Sequence, residues 1–267
     1  MKKIALFLIS ALLIVACSTV PLTGRHQLNL IPDSSMMSMS FQQYDQFLKE
    51  NKISSDKQKT EMVKKVGKRI QKAVEKYLTD NGMADRLKNY NWEFNLVESP
   101  EQNAWCMPGG KVVVYTGILP LTKNETGLAV VMGHEIAHAI AEHGNERMSQ
   151  QMLVQMGGTA LATAMQNKPA ETQKLWQQVY GLSAQYGAIL PYSRLQESEA
   201  DKLGLIFMAI AGYDPSEAVA FWQRMSENKK GQAPPEFMST HPADATRIQK
   251  IKQDLPEALK YYKKYKR

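Results

Sequence analysis

Apolar positions recur at helical spacing over two early stretches of the chain. One helix is predicted from near Ser38. A second is predicted from Asp56 to Leu78, where Met62, Val66, Ile70, Val74 and Tyr77 fall on one face. The period then shortens. Trp92, Phe94 and Leu96 alternate with polar neighbours, and Lys111 to Tyr115 is a β-branched run behind the turn Pro108-Gly109-Gly110, so both stretches are predicted strands. Glu125 to Ala141 is strongly apolar and reads as a buried helix. Met148 to Met165, rich in Met and Ala and interrupted by Gly157-Gly158, reads as core; packing beside a membrane or plugging a cleft are its alternatives. A further helix is expected from Ser193 to Ala211, stopped by Gly212. Another starts at Asp214-Pro215, with Asp as N-cap and Pro at the first position. A last one follows His241-Pro242, with Pro234-Pro235 in the loop before it. The sum is an α+β chain, mostly helical, with a small sheet and no internal repeat.

The first residues change the picture. Lys2 and Lys3 precede an apolar run, Ile4 to Ala16, too short to span a bilayer comfortably, so residues 1–16 read as an export signal. Its end, Ile14-Val15-Ala16-Cys17, resembles the lipobox of bacterial lipoproteins, which implies cleavage before Cys17 and its acylation. Residues 17–37 are then a lipidated tether, extended from 18 to about 35 and broken by Pro21, Gly24 and Pro32, and residues 38–267 form the folded domain. Acylation of Cys17 leaves Cys106 alone, so no disulfide framework is expected, and Cys106 reads as a small core residue rather than a nucleophile. The formal charge of +7 falls to about +5 without Lys2 and Lys3, a solvated surface with some affinity for anionic lipid. The basic tail Tyr261 to Arg267 reads as a frayed helix end, and no nucleic-acid partner is expected.

The chemistry lies in His134-Glu135-Ile136-Ala137-His138. Two histidines four residues apart sit about 40° apart around a helix, so both imidazoles can reach one ion. Glu135 is placed to take a proton from a water activated there. Burying these three side chains without partners would cost several kcal/mol, which a bound Zn2+ ion, one per chain, would offset. A catalytic zinc needs a third protein ligand and an open position. His143 lies about 180° around the helix from His134 and reads as a surface or capping residue. Glu142 lies about 12 Å along the axis from His134. The better source is Glu197-Ser198-Glu199-Ala200-Asp201, where Glu197 and Asp201 share one face and Glu199 points away. One carboxylate of such a pair can bind the metal while the other hydrogen-bonds the far nitrogen of a histidine ligand.

With these residues in view, the chain resembles the membrane-associated HExxH zinc peptidases that include the CAAX prenyl endopeptidases, the mitochondrial Oma-type proteases and a branch of bacterial envelope lipoproteins. The resemblance runs from about Pro21 to Arg247. It is carried by Thr23-Gly24-Arg25, Asn103-Ala104, Pro108-Gly109-Gly110, HEIAH, Arg194 with Glu197 to Asp201, Ala211 to Pro215, and Thr240-His241-Pro242 with Arg247. It implies a zincin-type metallopeptidase domain with its small sheet beside the HExxH helix. By the same resemblance, Glu197 is the third ligand and Asp201 its supporting carboxylate. Asn103, Ala104 and Trp105 then lie on an edge strand that pairs with substrate backbone. His241 either ligates the resting metal or stabilises the tetrahedral intermediate, unless it is only a helix-start histidine; Arg247 supports the intermediate or pairs with an acid. The prenyl branch has several membrane spans and this chain shows none after its signal, so prenylated substrates are not expected.

The expected activity is that of a membrane-anchored zinc endopeptidase acting on misfolded or misassembled envelope polypeptides, in protein quality control. Its expected place is the cell envelope, lipid-anchored in the outer membrane and facing the periplasm. The alternative is a chaperone-like factor serving the envelope assembly machinery, its zinc site mostly occluded.

Overall fold

In chain order the elements are β1 (Cys17–Thr19), β2 (His26–Leu28), α1 (Asp33–Glu50), α2 (Lys57–Asp80), β3 (Glu93–Val97), β4 (Ala104–Met107), β5 (Lys111–Tyr115), α3 (Leu119–Thr122), α4 (Glu125–Ile140), α5 (His143–Met165), α6 (Ala170–Ala184), α7 (Leu190–Ile210), α8 (Glu217–Glu227), α9 (Glu236–Thr240) and α10 (Ala245–Tyr265). They come from a computed structural model that describes residues 17–185, 190–227, 236–242 and 244–266. The signal segment 1–16 and the Pro234-Pro235 loop lie outside the described residues. The chain forms two compact units, residues 1–36 with 142–196, and residues 37–141 with 197–267.

The larger unit is built on the patterns read from the sequence. Asp56 caps α2 by accepting from the Lys59 amide at 3.0 Å, and Val66, Ile70, Val74 and Tyr77 are buried along that helix. The sheet has the order β3-β5-β4: β3 runs parallel to β5, and β4 pairs antiparallel with β5 alone. Lys111 to Val114 of the central strand are all buried. The β4–β5 connection passes through Gly109 and Gly110 at φ 86° and 83°, a left-handed pair that β-carbons would strain. Side chains alternate across β4. Trp105 packs against Tyr44 and Phe47, its ring centroid 4.9 Å from that of Phe47. Ala104 and Cys106 project from the opposite face, and β4 packs along α4.

Helix α4 starts at Asn124, whose side chain accepts from the Thr126 and Gly127 amides at 2.9 and 3.0 Å. Every residue from Gly127 to Ile140 is buried, as its continuous apolar run predicts. It crosses α7 at Gly133 and Gly204. A β-carbon on Gly204 would stand 2.9 Å from the His134 amide nitrogen, so this contact is backbone on backbone. The approach brings the Glu197 helix within reach of the HEIAH helix.

The smaller unit departs from two expectations. Residues 18–35, expected as an extended tether, contain an antiparallel pair, Cys17 opposite Leu28, and α1 begins already at Asp33. Helix α5 runs unbroken through Gly157-Gly158, where the missing side chain leaves room for Tyr180 of α6, whose hydroxyl donates to Val154 O at 2.9 Å. Nor is its Met-rich stripe core. Met148, Met152, Leu153 and Met156 are exposed, Met156 by 64 %, since one partner helix covers only one side of α5. Among the described residues no helix is long and apolar enough to cross a membrane.

Candidate metal centre

Four buried side chains converge: His134, His138, Glu197 and His241 each offer a donor atom within 4.8 Å of the others. The two Nε2 atoms of α4 are 3.1 Å apart, and His134 Nε2 is 3.1 Å from His241 Nδ1. Glu197 completes the set, Oε1 at 3.2 Å from His138 and Oε2 at 3.3 Å from His134 and 2.9 Å from His241. Zinc bonds of about 2.0–2.1 Å in a tetrahedron put ligand atoms roughly 3.3 Å apart, so this donor set and spacing fit the ion.

Local structure places each group. Helix α4 supplies both histidines from one face and Glu135 from beside them. Helix α9 ends on His241, whose amide donates to Phe237 O at 2.8 Å. The far nitrogen of His241, Nε2, lies 3.4 Å from Glu135 Oε1. Asp244 caps α10 by accepting from the Arg247 amide at 2.7 Å, which fixes Arg247 in the first turn. Arg247 forks onto Asp201 through Nε and Nη2 at 2.8 and 2.7 Å, and its Nη1 is 3.1 Å from Glu197 Oε2. Asp201 Oδ1 in turn lies 3.0 Å from His134 Nδ1. Asp201 thus bridges the His134 imidazole and the Arg247 guanidinium.

An aromatic wall backs the cluster, and the sequence reading missed it. Trp222 and Phe237 stack at 5.9 Å, both meet the His134 ring, and the Arg247 guanidinium lies 3.5 Å above Trp222. Phe237 stands four residues before His241 on a short helix, a spacing that would have marked the contact.

The charges explain one another. Burial alone would lower the His134 pKa, but its hydrogen bonds to Asp201 and Glu197 outweigh this and raise it to about 9. Burial works against the Glu197 carboxylate, yet the His138 charge and bonds from His134, His138 and His241 hold it well below the usual range. Asp201 is likewise lowered, its burial outweighed by Arg247 and His134. Burial, with the Glu135 charge, pushes the Cys106 thiol well up, which leaves it protonated.

The remaining sequence candidates are scattered. Glu142 adopts a left-handed φ of 58° that ends α4, and its carboxylate accepts from Ser18, Gln27 and Asn29, outside the cluster. That break also corrects the surface position expected of His143. A new helix begins there, and the side chain is fully buried. Glu199 is buried outside the cluster. Asn103, Ala104 and Trp105 lie at the start of the edge strand. The Ala104 amide donates to Asn103 Oδ1 at 2.8 Å, the Asn103 carbonyl accepts from the Tyr115 amide at 3.1 Å, and the indole packs toward α1.

Residues 64–255 match the model of peptidase family M48. The mitochondrial metalloendopeptidase OMA1 of Schizosaccharomyces pombe is 38 % identical over 191 residues, 71 % of this chain and 53 % of that protein. Its Saccharomyces cerevisiae counterpart is 35 % identical over 196 residues, 68 % and 52 % of the two chains. The β-barrel assembly-enhancing protease of Yersinia pestis is 32 % identical over 164 residues, 59 % and 33 %. The chain spans about half the length of the OMA1 relatives it matches.

Proposed function

Since the chain belongs to peptidase family M48 and carries the His/His/Glu/His cluster of a zinc metalloendopeptidase, we propose that it cleaves envelope polypeptides from a lipid anchor at Cys17. The observation that carries the chemistry is the convergence of His134, His138 and Glu197 with Glu135 alongside. When bound there, zinc would supply Lewis acidity to the scissile carbonyl and acidify a water molecule.

The protein's own groups do the rest. Glu135 takes the proton of the attacking water and returns it to the leaving amine. His241, its Nε2 beside Glu135, stabilises the charge that develops on the carbonyl oxygen. Asp201 keeps the His134 proton on Nδ1, so that Nε2 faces the ion, and Arg247 holds Asp201 in place. The edge strand β4 binds an extended peptide through main-chain hydrogen bonds, which recognises backbone more than side chains and suits misfolded substrates. Removal of residues 1–16 and acylation of Cys17 would tether residues 17–37 to the outer membrane, the domain from 38 onward facing the periplasm. The lipobox-like Ile14 to Cys17 and the similarity to a β-barrel assembly-enhancing protease support this placement.

One observation favours a second reading. His241 is a fourth protein donor, and four protein ligands leave a zinc ion no open position. In that state the protein is a chaperone-like assembly factor with an occluded site. Metal analysis with casein cleavage separates the two. Purified wild type should contain one zinc and cleave, while Glu135→Gln keeps zinc and does not. Cleavage by zinc-loaded Glu135→Gln would refute the mechanism, and rescue of envelope defects by that variant would favour the second reading.

A further inference from the structure

The mechanism leaves one buried aromatic residue beside the cluster without a task. Trp222 stands on the inner face of α8 with Ala218, Phe221 and Met225, and it is only 1 % exposed. Helix α8 packs against both α4 and α10, and all three belong to the unit of residues 37–141 and 197–267. Its indole therefore lies between the histidine helix and the helix that carries Arg247.

A guanidinium is a flat cation whose N–H groups leave along its edge, while its two faces carry no donors. Arg247 spends the edge on carboxylates. Nε and Nη2 donate to Asp201 at 2.8 and 2.7 Å, and Nη1 is 3.1 Å from Glu197 Oε2. One face lies on Trp222, 3.5 Å from the ring centroid, well inside the range of a cation–π contact. Hydrogen bonds along the edge tolerate tilting of the plane, since carboxylate oxygens accept over a broad range of directions. Stacking on the indole removes that freedom. The indole is itself held, stacked on Phe237 at 5.9 Å and edge-to-face with the His134 ring at 5.9 Å. The tilt of Arg247 bears on two metal ligands at once, on Glu197 directly and on His134 through Asp201 Oδ1, 3.0 Å from its Nδ1.

We propose that Trp222 is a positioning residue: its face fixes the plane of Arg247, and through Arg247 the spacing of Glu197 and His134 around the metal. The inference rests on the zinc reading above. The test is a zinc dissociation constant, measured by chelator competition on the full chain. Trp222→Leu keeps an apolar side chain but no π face, and it should weaken zinc about tenfold, the low end of the range for groups that orient metal ligands. Trp222→Phe should recover part of that loss and stand about threefold below wild type, because a benzene face holds a cation less well than an indole. Neither substitution should weaken zinc further in an Arg247→Met background, because both act through the guanidinium that is then gone. A wall that only packs against the histidine rings would keep its effect there. If Trp222→Leu fails to fold, Trp222→Phe carries the same two comparisons. Both affinities within about twofold of wild type, or losses undiminished in the Arg247→Met background, would overturn the assignment. A wild type that binds no zinc would instead overturn the zinc reading.

Discussion

In the metal-free protein His134 holds a proton where the metal belongs. Its pKa is raised to about 9 by Asp201 and Glu197, so at neutral pH the imidazolium neutralises the two carboxylates. Zinc takes only the unprotonated nitrogen, and that proton must leave on binding. At pH 7 the group lies about two units below its pKa, which costs about 2.7 kcal/mol, or about a hundredfold in apparent affinity. Affinity should therefore rise with pH until it levels off near 9. The stability of the metal-free protein runs the other way. The folded pKa lies above the usual 6.5, so this contribution is complete below about 6.5 and is lost as pH rises through about 9. Calorimetry in two buffers of different ionisation enthalpy reads the proton count directly, with about one proton from His134 expected at pH 7. Asp201→Asn removes an anionic partner of His134 and should reduce the count. No release at pH 7, or a release that Asp201→Asn leaves unchanged, would refute the assignment.

Gly204→Ala should force α4 and α7 apart, since its β-carbon meets the His134 amide at 2.9 Å; a loss of about 1–3 kcal/mol in urea denaturation, with weaker zinc binding, is expected. Arg247→Met leaves Asp201 buried without its guanidinium and should cost about 3 kcal/mol at pH 7 in the metal-free protein, measured the same way. Part of that loss should disappear in acid, because the lowered Asp201 pKa stabilises only above the usual carboxylate range and its contribution fades as pH falls. Cys106 should resist alkylation at pH 8 in the native protein and react once it is unfolded, followed by mass spectrometry.

What the sequence made legible was local. Helical period located the buried HEIAH helix and put Glu197 and Asp201 on one face, because both statements need only one element's geometry. Strands β3 and β5 and the turn before β5 followed from alternation, the β-branched run and the glycine pair, whereas the edge strand β4 was expected only from the family resemblance. Contacts between elements were not readable in this way. Nothing marks Glu142 as left-handed, since a non-glycine residue there carries no turn signature, and so His143 appeared to continue a helix that in fact ends before it. The exposed Met stripe has the composition of a core, and burial depends on what packs against it. Trp222 and Phe237 sit on separate short helices whose convergence on His134 is tertiary. Arg25 and Glu146 meet across 121 residues.

The donors of the metal centre are also far apart in synthesis. His134 and His138 are made first, and His241 follows His134 by 107 residues. At about 5–20 residues per second the full set is assembled roughly 5–20 seconds after the first histidine leaves the ribosome. Two histidines alone form an incomplete zinc site, and Glu197 comes from the far side of α5 and α6. A nascent chain that has passed only the histidine pair therefore holds an incomplete metal centre, and the order in which Glu197 and His241 arrive delays its assembly.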